Sequence, residues 1–145
     1  MAAEYRLNFW RRILSLLVRV LLFFGLGPRN TYLLSVRGRK SGRTYSTPIT
    51  LVKDNGKRWL VSPYGEVGWV RNARAVGTVT LRRGKRSESV KVTELGPEEA
   101  ASVLKQYVTQ VPITRPFFDA RPESSLEAFI AEAPRHPVFS IEPVN

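Results

Sequence analysis

Four cations, Arg37, Arg39, Lys40 and Arg43, fall within one short stretch, interleaved with Gly38, Ser41 and Gly42. Like charges held on a tight turn repel one another, so the cluster suits a partner that neutralises it. Glycines let backbone N–H groups approach closely, and the Ser41 hydroxyl adds a donor; together these groups match phosphate or carboxylate. The stretch is not a P-loop, because Arg39 stands where a glycine would precede Lys40-Ser41 and no helix follows. Read by itself, it serves equally as a solvated hairpin tip. Other chemistry is scarce. The chain has no Cys, which excludes a thiolate nucleophile, a disulfide and a Cys-ligated metal. Its single histidine, His136, sits in "PRHPVF" and reads as a surface residue or one leading into a strand. Glu98, Glu99, Glu127 and Glu132 read as helix caps and solvated faces.

The charge balance points the same way. Lys and Arg number 23 against 12 Asp and Glu in 145 residues, a net charge of +11. That excess favours an anionic partner: nucleic acid, anionic lipid or a phosphorylated cofactor. All of it lies before Ala75, since residues 1–74 hold 14 basic and 3 acidic side chains and the remainder is balanced. The anion is therefore expected at the first half of the chain.

The elements that must hold the turn can be read around it. Residues 1–27 form one unit, an amphipathic helix with Asn8, Arg12, Ser15 and Arg19 along one side. Its apolar runs are too short to span a bilayer. With Trp10, Phe23 and Phe24 it suits an anionic membrane surface, and packing across the rest of the protein or at a dimer contact suits it equally. Residues 28–145 form the second unit. There the period becomes two: Tyr32, Leu34 and Val36 alternate, as do Tyr45, Thr47, Ile49 and Leu51, which predicts a hairpin around the basic turn. Pro48 marks an edge or a bulge. Asp54-Asn55-Gly56 predicts a second turn, Gly84-Lys85 a third, and "VFSIEP" a last strand. Helices are expected around Trp69 to Arg74, over "GPEEAASVLKQYVTQ" and over "SSLEAFIAEA". One mainly-β domain follows, a small antiparallel barrel flanked by helices.

The pair of segments "LLSVRGRKSGRTYSTPITLV" and "GEVGWVRNARA" resembles the deazaflavin-dependent nitroreductase family, whose members use coenzyme F420 on a split β-barrel. The resemblance rests on Gly38, Arg39, Ser41, Gly42 and Pro48 at the family spacing, followed by Trp69 and Asn72. It implies that Arg39, Lys40 and Ser41 hold the cofactor phosphate, with Gly42 in the turn and Arg43 attracting the anionic tail. It places Pro48 and Thr50 beside the deazaflavin ring, Ser62 and Tyr64 near its other parts, and Trp69 and Asn72 along the pocket. Two departures stand out: Val67 occupies a position where the family often has proline, and the segment after the long helix offers Tyr107, Phe117 and Phe118 instead of several tyrosines. That segment implies an apolar or quinone-like acceptor over a nitro compound.

The implied activity is hydride transfer between reduced F420 and a small apolar molecule, without a protein nucleophile and with Tyr64, Tyr107 or water as proton donor. An FMN reductase on the same barrel, a coenzyme carrier and a basic nucleic-acid-binding barrel are the alternatives; "RRGKR" at Arg82 to Arg86 would serve the last. No RNA-binding signature supports it, so no nucleic acid is expected. The setting expected is the cytoplasm, at the inner face of the membrane if the first helix docks there, with a homodimer in keeping with an apolar helix.

Overall fold

The computed structural model describes residue 16 and residues 30–144. Apart from Leu16, the helix expected over residues 1–27 lies outside the described residues. Six strands close into one antiparallel barrel in the order β1-β2-β3-β6-β5-β4, with β4 returning to β1. They are β1 (Thr31–Arg37), β2 (Thr44–Asp54), β3 (Lys57–Val61), β4 (Thr78–Arg83), β5 (Arg86–Glu94) and β6 (Val138–Pro143). The expected hairpins form. β1 and β2 pair from Thr31↔Thr50 to Arg37↔Thr44, so the basic turn caps their ends. Asn55 and Gly56 take φ of 50° and 77°, the left-handed pair that suits a two-residue turn between right-twisted strands.

Alternation explains how one sheet serves two cores. At Leu51-Val52, Leu60-Val61 and Val138-Phe139, neighbouring apolar residues point to opposite faces, and all six are buried. Leu51, Leu60 and Phe139 fill the barrel, joined by Leu34, Val36 and Leu81. Val52, Val61 and Val138 form the outer layer under α2 (Pro97–Gln110) and α3 (Leu126–Glu132), which contribute Leu104, Val108 and Phe129. Burying each large side chain contributes about 1.5–3 kcal/mol, so neither layer is dispensable. Between β3 and β4, α1 (Gly68–Val76) sends Val70 and Ala73 into the barrel core. α2 starts on Pro97 with Glu98 and Glu99 in its first turn, where the missing N–H is harmless and negative charge favours the positive helix end. The proline-rich segment after it is a 3-10 helix, Pro112–Phe117. α3 is shorter than its sequence suggests, because the Ser125 hydroxyl caps it by accepting from the Ala128 N–H.

Two expectations about this end of the chain need correction. His136 does precede β6, but it is buried, and Glu132 is a buried core residue, not a solvated one. Each satisfies the other, a pairing that composition does not reveal.

The barrel is split along β2. Its second half pairs with β3 from Leu51↔Leu60 to Asp54↔Lys57, but residues 44–50 have only β1 beside them among the described strands. Pro48 lies in that half, where a missing N–H costs little.

Candidate active site

The edge of β2 that has no described strand beside it is one wall of a cavity of about 720 Å³. The basic turn closes one end, α1 supplies Gly68, Trp69 and Asn72, and the loop after β3 supplies Pro63 and Tyr64. Tyr107, Val111, Ile113 and Thr114 complete the far side.

The turn is held by its own backbone. Gly38 N–H donates to the Arg43 carbonyl at 2.6 Å, and Gly42, at φ 72°, donates to the Gly38 carbonyl at 3.1 Å. The Ser41 hydroxyl accepts from the Arg43 N–H at 3.2 Å and shares a hydrogen bond with the Tyr45 hydroxyl at 3.1 Å. A Cβ on Gly38 would stand 2.6 Å from Tyr45 Cε2 and 3.0 Å from Ser41 Oγ, so the ring and hydroxyl pack where only glycine leaves room.

Asn72 anchors this turn to the barrel. Its buried Oδ1 accepts from the Arg39 backbone N–H at 3.1 Å and from Arg39 Nη1 at 2.8 Å. The segment that carries the charges is thereby tied to α1, which the core fixes through Val70 and Ala73. Trp69, one turn earlier, packs its ring against Phe139 at 5.9 Å. Lys40 lines the cavity end, is exposed, and has no hydrogen-bond or ion-pair partner among the described residues. Across the cavity, Thr31 and Thr50 join their hydroxyls at 3.0 Å. Burial, and after it the nearby Tyr64, pushes the Tyr107 phenol well above its ordinary range, with a hydrogen bond to Thr114 opposing.

Of the residues singled out in the sequence, Arg39, Lys40, Ser41, Pro48, Thr50, Tyr64, Trp69, Asn72 and Tyr107 come together around this cavity. Five others are not among those lining it. Gly42 shapes the turn from behind, and Arg43 gives its backbone to the turn's hydrogen bonds. Ser62 is buried and spends its hydroxyl on the Gly65 carbonyl at 2.6 Å, which tightens the loop that carries Tyr64. Phe117 braces Tyr64 edge-on, with centroids 4.8 Å apart. Phe118 belongs to the outer core and stacks on His136 at 3.9 Å. Sequence reasoning passed over Gly38 as a packing position, Tyr45 as the partner of Ser41, and Thr31, Val111, Ile113 and Thr114. The alternation that exposes Tyr45 toward Ser41 was legible; the 3-10 segment has no such period.

Among the described residues, no group of three or more His, Asp or Glu side chains could hold a metal ion. None of their helices is long and apolar enough to cross a membrane. The family model described as F420H2-dependent quinone reductase matches residues 24–117. Among solved structures, an F420-H2 dependent reductase (FDR-A) is 25% identical with a TM-score of 0.54, covering 79% of this chain and 95% of its own. A structure described as a domain-swapped dimer is 23% identical with a TM-score of 0.57, over 92% and 97% of the two chains. The haem storage protein HutZ from Vibrio cholerae shares the fold at 11% identity, with a TM-score of 0.57 over 81% and 83%. No curated protein matches the sequence.

Proposed function

The chain belongs to the F420H2-dependent quinone reductase family, and from that premise we propose how its cavity carries out a reduction on an apolar, quinone-like acceptor. It is an F420-dependent reductase, and coenzyme F420 is its cofactor. The residues present fit that group. One end of the cavity offers the Lys40 ammonium, the Arg39 guanidinium and the Ser41 hydroxyl around a glycine that no larger residue can replace without displacing Tyr45. Those groups would hold the phosphate and the acidic tail. Pro48, Thr50 and Trp69 would flank the ring.

When bound in reduced form, F420 supplies a hydride. The chain's part is binding, orientation and exclusion of water. Asn72 holds Arg39, and so the cationic end, in a fixed place relative to the barrel. Pro63, Val67, Val111 and Ile113 give the acceptor apolar contact. Tyr107 is a hydroxyl on the cavity wall from which a proton can pass to a reduced oxygen. Tyr64 is the second hydroxyl on that wall.

The single observation that carries this reading is the placement of a cationic turn, with no acidic partner among the described residues, at one end of a cavity whose other walls are largely apolar. The test is a fluorescence titration of the purified protein with F420, repeated with Lys40→Ala and Trp69→Ala. Losing a charge-assisted contact of about 1.5–3 kcal/mol raises the dissociation constant at least about tenfold for Lys40→Ala. Dissociation constants unchanged by both substitutions would remove the site assignment.

A further inference from the structure

Outside the residues assigned to the coenzyme, the molecule buries an acid and an imidazole side by side. Glu132, the last residue of α3, is 2% exposed and His136 3%. His136 Nε2 lies 2.8 Å from Glu132 Oε2, and its Nδ1 lies 3.0 Å from the Pro63 carbonyl oxygen. A carbonyl only accepts, so Nδ1 carries a hydrogen and donates it; one further proton is shared between Nε2 and Oε2. The other carboxylate oxygen, Oε1, accepts from the Ala120 N–H. Two more charges stand nearby: Arg135 Nη2 is 3.6 Å from Glu132 Oε2, and its Nη1 is 3.0 Å from Asp119.

The pair touches the segments that set one cavity wall. Pro63, whose carbonyl it holds, directly precedes Tyr64. Phe118, on which the imidazole stacks, directly follows Phe117, which braces the Tyr64 ring. Pro63 and Tyr64 line the cavity, whereas Glu132 and His136 are not among its lining residues. For packing alone, an apolar pair of similar volume would serve at least as well, because desolvating an acid and an imidazole is costly.

We propose that Glu132 and His136 are positioning residues for the acceptor wall: through Nδ1 the imidazole fixes the Pro63 carbonyl, and with it the placement of Tyr64, while Glu132 fixes the imidazole. This rests on the reading of the cavity as the reductase site.

Two substitutions separate the two hydrogen bonds. Asparagine at 136 places an amide N–H near the position of Nδ1 and keeps the Pro63 anchor; glutamine reaches toward Glu132 and gives that anchor up. In protein carrying 13C-labelled tyrosine, the Tyr64 ring resonances, assigned with Tyr64→Phe, are expected to shift in His136→Gln and to stay in place in His136→Asn. Loaded with F420, His136→Gln loses roughly tenfold in acceptor kcat with coenzyme affinity within about twofold of wild type, the size expected for a misplaced positioning group. His136→Asn retains turnover although it melts lower, since it leaves Glu132 Oε2 with only the more distant Arg135 Nη2 at 3.6 Å. Unchanged Tyr64 resonances in His136→Gln, or equal shifts in both variants, would overturn the proposal. Should either variant not fold, the wild type decides: His136 is the sole histidine, so its 15N spectrum reports the ring directly. A protonated, slowly exchanging Nδ1 supports the anchor, and a ring protonated only at Nε2 overturns it. Failure of the wild type to bind F420 would sink the reductase reading, yet both NMR measurements would still judge the pair.

Discussion

Asn72 offers the sharpest separation between holding the basic turn and charging it. Its Oδ1 accepts one bond from a neutral backbone N–H and one from a guanidinium. Bonds of these kinds contribute about 0.5–1.5 and 1.5–3 kcal/mol, and Arg39 is exposed enough to recover part of the loss in water. Asn72→Ala is therefore expected to lower stability by about 1–3 kcal/mol, roughly 4 °C in Tm per kcal/mol for a domain of this size. With the turn untethered, F420 binding weakens too. Asn72→Asp behaves differently. The carboxylate still accepts both bonds, and its pairing with Arg39 offsets part of the cost of burying it, so the loss of stability is smaller than for Asn72→Ala. It also neutralises Arg39, leaving Lys40 as the one cation among the described lining residues without an acidic partner, and the F420 dissociation constant rises about tenfold, equivalent to about 1.4 kcal/mol. Urea denaturation reads the first quantity, and quenching of coenzyme fluorescence at two salt concentrations reads the second. The aspartate defect shrinks at high salt, because it is a charge effect. If Asn72→Asp binds F420 as tightly as the wild type at low salt, the turn does not receive the anionic end, and the reasoning from its charge fails.

Two further outcomes follow from other positions. Gly38→Ala pushes the Tyr45 ring aside and breaks its hydroxyl bond to Ser41; because that ring is half-exposed and can swing away, the expected loss is about 1 kcal/mol of stability, with a several-fold weaker F420 complex in the same titration. Glu88 receives two bonds from Arg58, at 2.9 and 3.0 Å, and these hold its carboxyl below the ordinary 4.5. The unfolded chain takes up that proton first, so the pair's contribution is complete above pH 4.5 and fades as pH falls through the lowered value. For so exposed a pair it amounts to about 0.5–1 kcal/mol; urea midpoints measured from pH 3 to 7 should show a shallower acid-side decline in Glu88→Gln, and an unchanged decline would remove the pair from the account.

What the residues disclose in advance is local. Alternation in Tyr32-Leu34-Val36 and Ile49-Leu51, with Asn55-Gly56 behind them, is enough to give the hairpins, and the basic turn is visible because its charges adjoin in the chain. The pairings β4 with β1 and β3 with β6 join distant segments, so no window of sequence contains them. The same distance hides what Phe118, Glu132 and His136 do. An aromatic beside another aromatic looks like pocket lining, and a glutamate near a helix end looks solvated, until folding sets an imidazole between them. Ser62 misleads for the opposite reason: its hydroxyl suits a ligand, but the Gly65 carbonyl three residues on is nearer. The glutamate and histidine four apart were a signal within reach, obscured because α3 stops at Glu132 and a 3-10 turn spans the gap.

Residues 44–50 of β2 keep a row of peptide groups with no described strand beside them on the cavity side. An edge of that kind is adhesive, since a foreign chain can lie along it as easily as a ligand can lie across it. Filling the cavity blocks that contact and stabilises the native state, by about 2.7 kcal/mol when the ligand stands at a hundred times its dissociation constant. Protein loaded with the coenzyme is therefore expected to resist aggregation and proteolysis better than the empty protein, which limited proteolysis with and without F420 would measure.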